Sequence, residues 1–564
     1  MNKENKYKNK RGSEYRMKRA SGILLPVSSL PSAYGIGCFS REAYDFVDWL
    51  AAAGQSYWQI LPLGPTGFGD SPYQSFSNFA GNPYYIDLEA LIEDGLLTEE
   101  ECNRVDFGSD PHSVDYGKLY ENRWKLLKIA YQRSSIAVDP DFREFCRKQD
   151  WWLEDYALFM TVKACFHGAS WDCWAEDIRL RWGYSIDYYR NTYAEEMEFY
   201  RYIQYLFDVQ WKKLKAYAND KGIQIIGDLP IYVAFDSADA WAHPNLFQFD
   251  EQHKPTAVAG CPPDAFSATG QLWGNPLYCW EYHRNTGYDW WIRRMRACYE
   301  RYDIVRMDHF RGFDEYYSIP AEDENAVGGH WEKGPGMELF HKLEQALGER
   351  PVIAEDLGFM TPGVEKLVAD SGYPNMKVLE FGFVPGVETG HLPHAYEKNC
   401  VVYTGTHDNE TVEAWYEELG DRKKSYVLAY LDKEKPGKNG ISRDLIRLAM
   451  MSSADTCIIP LQDWLGLGRG ARMNYPSTIG TNWKWRTDAA VFTKKLQKEI
   501  RSLTEFAFRA EPQPEDESVS TEETEAADES VSAKETEVAD ESVSTKENET
   551  TTTKEMEAKI SCNL

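Results

Sequence analysis

Arg306, Asp308 and His309 stand within four residues of one another at the end of an apolar run, in IVRMDHFRGF (304–313). In a strand, side chains alternate between faces, so Arg306 and Asp308 project the same way, and a guanidinium beside a carboxylate favours the ionised acid. An anion held at a strand end is a candidate nucleophile. A lone Arg-x-Asp is also what a structural ion pair looks like, and two further segments decide between these readings. PVIAEDLG (351–358) is a second short apolar run that ends in an acid, Glu355, and VVYTGTHDNET (401–411) is a third, ending in His407 and Asp408. Three carboxylates, each at the C-terminal end of an expected strand, make an active site.

Such residues need a frame that gathers strand ends. Short apolar runs finishing in polar or turn residues occur at 21–29, 56–64, 223–230, 304–308, 352–355, 376–383, 401–406 and 456–463. Helical patterns lie between most of them. After the first run, Ser40 suits an N-cap, Ala43, Phe46, Val47, Leu50 and Ala51 recur at helical spacing, and Gly54 can end the helix. Similar helices read at about 200–220, 287–300, 336–348, 362–371, 410–431 and 441–453. Eight strand–helix alternations predict an α/β chain built as a (β/α)8 TIM barrel, whose active site lies at the C-terminal strand ends.

The spacing predicts large, mainly helical insertions on the catalytic rim, at about 65–200 and 231–285. Segments 121–132 and 151–166 read as helices of the first. The second contains CPPDAFSATGQLWGNP (261–276), whose prolines and glycines forbid a long helix and whose Phe266 and Trp273 are aromatic in a polar setting, as a lid would need. Domain bounds follow: a disordered basic arm over 1–18, a catalytic domain over 19–510, and a disordered acidic tail over 511–564. The tail carries 17 acidic and 4 basic residues, and DESVS begins at Asp516, Asp528 and Asp540 with few apolar residues to bury.

Composition narrows the function further. Aromatics are 14% of the chain, with 19 Trp and 35 Tyr, and flat aromatic faces suit the apolar faces of sugar rings. A net charge of −28 disfavours nucleic-acid partners. The sequence has neither a run of about 18 apolar residues nor a secretory h-region, so no membrane association is expected. Eleven scattered cysteines without C-x-x-C clusters favour reduced thiols and a cytoplasmic location. Without a phosphate loop, a dinucleotide fingerprint or H-E-x-x-H, neither cofactor nor metal is called for.

The chain resembles the 4-α-glucanotransferases, also called amylomaltases or disproportionating enzymes, over roughly 19–508. The resemblance rests on SGILLPVSSLPSAYGIG (21–37), WQILPLGPTGFGDSPYQSFSNFAGNPYYIDL (58–88), GDLPIYVAFDSADAWAHP (227–244), the 261–276 segment, VRMDHFRGF, IAEDLG, GTHDNET and RMNYPSTIGTNWKWR (472–486). It implies Asp308 as nucleophile, Glu355 as general acid/base and Asp408 as the transition-state-stabilising carboxylate. It also implies substrate contacts from Tyr73, Asp228, Arg306, His407 and the Gln271-Leu272-Trp273 segment. The partners it implies are maltooligosaccharides, glucose and other α-1,4-glucans. One departure is Thr481-Asn482, where a glycine is expected before the asparagine. The basic arm and the acidic repeats lie outside the family pattern.

Chemistry alone asks for the same division of labour. Cleaving a glycosidic bond with retention needs one protonated carboxyl to release the leaving oxygen and one carboxylate to attack from the opposite face. The charges of Asp308 and Asp408 would raise Glu355, separating the acids. A sugar 4-hydroxyl as acceptor makes the reaction transfer, and water makes it hydrolysis. Two alternatives stand beside a transferase: a hydrolase or debranching enzyme with the same trio, and a non-catalytic glucan-binding protein.

Overall fold

The computed structural model describes residues 17–67, 69–263 and 267–511. The arm before Met17, the acidic tail from Pro512, and Phe266 lie outside the described residues. Twelve strands are present among the described residues: β1 (Ala20–Leu24), β2 (Tyr57–Gln59), β3 (Gln224–Leu229), β4 (Ala257–Cys261), β5 (Gln271–Pro276), β6 (Ile304–Met307), β7 (Glu315–Pro320), β8 (His330–Lys333), β9 (Val352–Ala354), β10 (Asn375–Val378), β11 (Cys400–Tyr403) and β12 (Thr456–Pro460). Eight close into a barrel in the order β1-β12-β11-β10-β9-β6-β3-β2, every pair parallel. These are the eight apolar runs of the sequence. Strands covered on both faces read as near-continuous hydrophobic stretches; β1, β6, β9, β11 and β12 are buried at every residue.

The helix Arg41–Ala52 follows β1 with Ser40 as its N-cap residue. The Ser40 hydroxyl does not cap the helix; it donates instead to Glu42 at 2.5 Å and lies 2.7 Å from Ser32 Oγ, whose hydroxyl can donate to it. Gly54 ends the turn at φ +70°. Helices at Asp289–Arg301, Met337–Leu347, Pro362–Ser371 and Gly440–Met451 fall where the periodicity predicts them. The expected helix over 410–431 is two, Val412–Glu418 and Asp421–Tyr430, because Gly420 adopts an extended conformation and starts the second.

The stretch between β2 and β3 is helical, dominated by Tyr116–Arg133, Pro140–Cys165 and Ala194–Asp220. The second excursion differs from the expected loop. β4 and β5 form an antiparallel hairpin that continues into a four-stranded sheet, β5-β4-β7-β8. Gly270 makes the hairpin possible: its φ is +69°, and a Cβ there would lie 2.4 Å from the Cys261 carbonyl. Within the rim segment 261–276, Cys261 and Gln271–Pro276 are therefore strand residues of a sheet. No helix among the described residues is long and apolar enough to cross a membrane.

Candidate active site

Strand register assembles the polar centre. Asp228 pairs with Arg306 across β3 and β6, and Met307 pairs with Ala354 across β6 and β9. Asp308 and Glu355 are thus the next residues out on adjacent parallel strands, about 4.8 Å apart by strand spacing. Backbone bonds hold them there: Asp308 N–H donates to Leu229 O, and Glu355 N–H to Met307 O, both at 3.0 Å. The Tyr302 ring packs directly on the strand backbone before Asp228, since a Cβ on Gly227 would meet it at 2.1 Å.

Arg306 is the hub. Its Nη1 donates to both Asp228 oxygens at 2.8 Å and to Asp308 Oδ1 at 3.0 Å. Asp228 and Arg306 are buried, whereas 28% of the Asp308 side chain is exposed. One acid is consumed by the arginine and the other remains open to a ligand. Tyr73 O–H donates to Asp228 Oδ2 at 2.8 Å and lies 2.9 Å from His407 Nε2, so with Nε2 protonated His407 donates to Tyr73. The two rings stack at 5.2 Å, with Trp483 alongside.

Glu355 is buried, and its oxygens accept from His309 N–H and Leu357 N–H, both at 2.7 Å. Burial first, then the Asp308 charge, push its carboxyl up to about 8, against Arg306 and those two donors. It is therefore protonated at neutral pH, as a general acid must be. The His309 N–H faces Glu355 because His309 turns into the left-handed region at φ 49°. Burial drives its imidazole down to about 4, so it stays neutral. Trp273 meets the His309 ring edge-on at 4.9 Å, with Tyr232 at 6.2 Å from both rings. The Trp273 indole N–H donates to Gln271 Oε1 at 3.0 Å, while Leu272 is exposed at the hairpin edge.

His407 and Asp408 are not at a strand end as expected. β11 stops at Tyr403, and the pair sits on a loop four and five residues further on. Thr404 leaves the strand to bond Asp463 at 2.5 Å, and Asn409 Oδ1 accepts from Thr406 N–H and Oγ1 at 2.9 and 2.8 Å. Distant residues complete the loop. Asn474 Nδ2 donates to Asp408 Oδ1 at 2.7 Å, Arg472 Nη2 to the Asp408 carbonyl at 2.8 Å, and Arg472 Nε to the Asn474 carbonyl at 2.7 Å. Burial alone would raise the Asp408 carboxyl, but His407, Asn474 and Arg306 together hold it well below the usual carboxylate range. Asp408 is thus an anion where Glu355 is an acid. Behind the loop, Glu380 is buried with Oε1 lacking a partner, and burial and then the Asp463 charge push its carboxyl well above the usual carboxylate range.

Asn474 and Arg472 are the site residues that sequence reasoning left unassigned; both lie in the quoted RMNYPSTIGTNWKWR motif. The Thr481-Asn482 departure leaves the backbone intact. Positive φ falls on Ser477, Gly480 and Trp483, and the Asn482 amide fastens the loop to Tyr475 O and Thr478 O.

A parallel eightfold barrel with a buried protonated carboxyl beside an open carboxylate and a third acid held anionic defines a glycoside-bond-processing enzyme. Residues 25–491 match the family model described as 4-alpha-glucanotransferase. The chain is 48% identical over 490 residues to the 4-alpha-glucanotransferase of Streptococcus pneumoniae serotype 4, covering 86% of this chain and 97% of that protein. It is 46% identical over 506 residues to that of Thermus thermophilus, covering 87% and 99%. The solved amylomaltase from Streptococcus agalactiae in complex with acarbose superposes with a TM-score of 0.85 at 40% identity, covering 87% of this chain and all of that one. The chain belongs to the 4-alpha-glucanotransferase family. It is an enzyme that transfers α-glucan segments with retention through a covalent glycosyl-enzyme.

Proposed function

We propose that Asp308 is the nucleophile, Glu355 the general acid/base and Asp408 the carboxylate that stabilises the transition state, and that the enzyme moves α-1,4-glucan segments between maltooligosaccharides and glucose in the cytoplasm. The observation that carries this reading is the contrast between neighbours: Glu355 raised to about 8 and walled in, beside Asp308, partly open and oriented by Arg306. Glu355 protonates the glycosidic oxygen as Asp308 attacks the anomeric carbon. The leaving chain departs with the Glu355 proton, and the glycosyl group remains as an ester on Asp308. With the Asp308 charge spent, Glu355 takes the proton of the incoming 4-hydroxyl, whose oxygen displaces Asp308. Asp408 faces the positive charge that develops at the anomeric centre. Tyr73, Asp228, Arg306 and His407 hold the glucosyl unit at the nucleophile, and Gln271 and Trp273 bind the acceptor side and exclude water.

The test separates the two acids. A maltosyl fluoride needs no proton donor to lose its leaving group, so Glu355→Gln should lose more than ~10²-fold on maltotriose yet still release fluoride in a first turnover. Asp308→Asn should lose both. Equal responses of the two variants to the fluoride would overturn the assignment of roles.

A further inference from the structure

The helices Pro140–Cys165, Ala238–Ala242, Trp280–Asn285 and Asp289–Arg301 line a groove of about 340 Å³. That is within the ~300–1,000 Å³ span of small-molecule sites. None of the nine residues assigned above lines it. Its wall mixes five aromatic side chains with polar and small aliphatic ones. Trp151 is fixed by the edge of Phe79 at 4.6 Å and by the Arg293 guanidinium at 5.7 Å, and Tyr282 stands 38% exposed. Between them lie the Asp155 carboxylate, held by Arg181 at 2.7 Å, the Asp289 carboxylate, held by Arg293 at 2.8 Å, and the exposed Asn245. Acids outnumber the cationic groups on the wall, which disfavours an anionic ligand. Aromatic faces beside fixed carboxylates and an amide suit a neutral ligand that is apolar on its ring faces and rich in hydroxyls at its edges.

We propose that this groove is a second binding site for α-glucan, separate from the catalytic cleft, which holds a distal part of a long chain. The inference rests on the glucan-transfer reading above. The segment that carries Tyr73 continues into Ser77 and Phe79, which line the groove, and Asn78 N–H bonds the buried Asp239 there at 2.9 Å. One rim segment thus serves both places. A long glucan can engage both, whereas a trisaccharide bound at the carboxylates cannot.

The experiment combines Tyr282→Ala with Asn245→Ala in the full chain, with Asp289→Asn as an independent exposed variant. Binding is read by native electrophoresis through soluble amylose in a Glu355→Gln background, so that the polymer is not consumed. Turnover is read with maltotriose in the active background. Retardation by amylose should weaken about five- to tenfold, while kcat/KM for maltotriose stays within about twofold and the melting temperature is unchanged. Undiminished retardation in the variants, or no retardation of the Glu355→Gln parent, would overturn the proposal. So would a parallel fall with maltotriose, which would make the groove part of the cleft. Absence of transfer by the unmodified enzyme would defeat the glucan-transfer reading, and the retardation assay reports on the groove separately.

Discussion

Glu355 acts through a proton that it can lose. Its carboxyl, lifted to about 8 chiefly by burial, is protonated below that pH and ionised above it, so leaving-group protonation is present at neutral pH and lost as pH rises. The expected kcat/KM for maltotriose therefore falls about tenfold per pH unit above about 8. First-turnover fluoride release from a maltosyl fluoride, which bypasses the donor, should show no such limb. A limb shared by both substrates would place the ionisation elsewhere. At this scale the sequence was informative wherever a residue sits in or next to a strand. Arg306 and Asp308 follow from alternation, and Asp228 and Glu355 from their places at the ends of apolar runs. Asn474 could not be read in that way, because its contact with Asp408 spans 66 residues of chain and depends on where two loops settle.

Loops rather than strands place the third carboxylate. Asp408 is five residues beyond β11, and the Arg472 fork ties its carbonyl, the Asn474 carbonyl and Glu410 Oε2 together at 2.8, 2.7 and 3.3 Å. An ammonium cannot reach three such acceptors in one plane. Arg472→Lys should lower kcat about 10- to 100-fold with a smaller change in KM, since a misplacement of about 1 Å is enough for such a loss. An unchanged kcat would mean that the 404–409 backbone holds Asp408 without the clamp. The legible elements were those whose burial is written as apolar runs. The four-stranded rim sheet was not legible, for β8 reads HWEK and β5 reads QLWGNP, with the Gly and Pro that usually argue against a strand. Those strands exist because each finds a paired edge: β7, laid down shortly after Asp308, pairs with β8 on one side and β4 on the other, and β4 in turn pairs with β5.

At the scale of the whole molecule, the barrel closes between its first strand and its last, and two arginines stitch that seam from the two ends of the catalytic body. Arg19 donates to Ser452 O at 3.0 Å and to Ala507 O at 2.9 Å. Arg509, 2% exposed, donates to Met450 O at 2.8 Å, Ala20 O at 3.0 Å and Ala454 O at 2.9 Å. Removing that side chain takes a donor from each of these carbonyls; Ala454 O keeps Arg19 at 3.2 Å, whereas a buried carbonyl left with no donor costs about 1–3 kcal/mol. The acidic repeats beyond it contain little apolar surface to bury, and we propose that the folded body ends at Ala510. Two truncations test this boundary. A chain stopped after Ala510 should keep the melting temperature and transferase activity of the full chain. A chain stopped after Phe508, shorter by only Arg509 and Ala510, should melt lower by several degrees in calorimetry at a fixed scan rate. A loss in the first would show that the repeats contribute to the folded body, and no loss in the second would mean that Arg19 closes the seam alone.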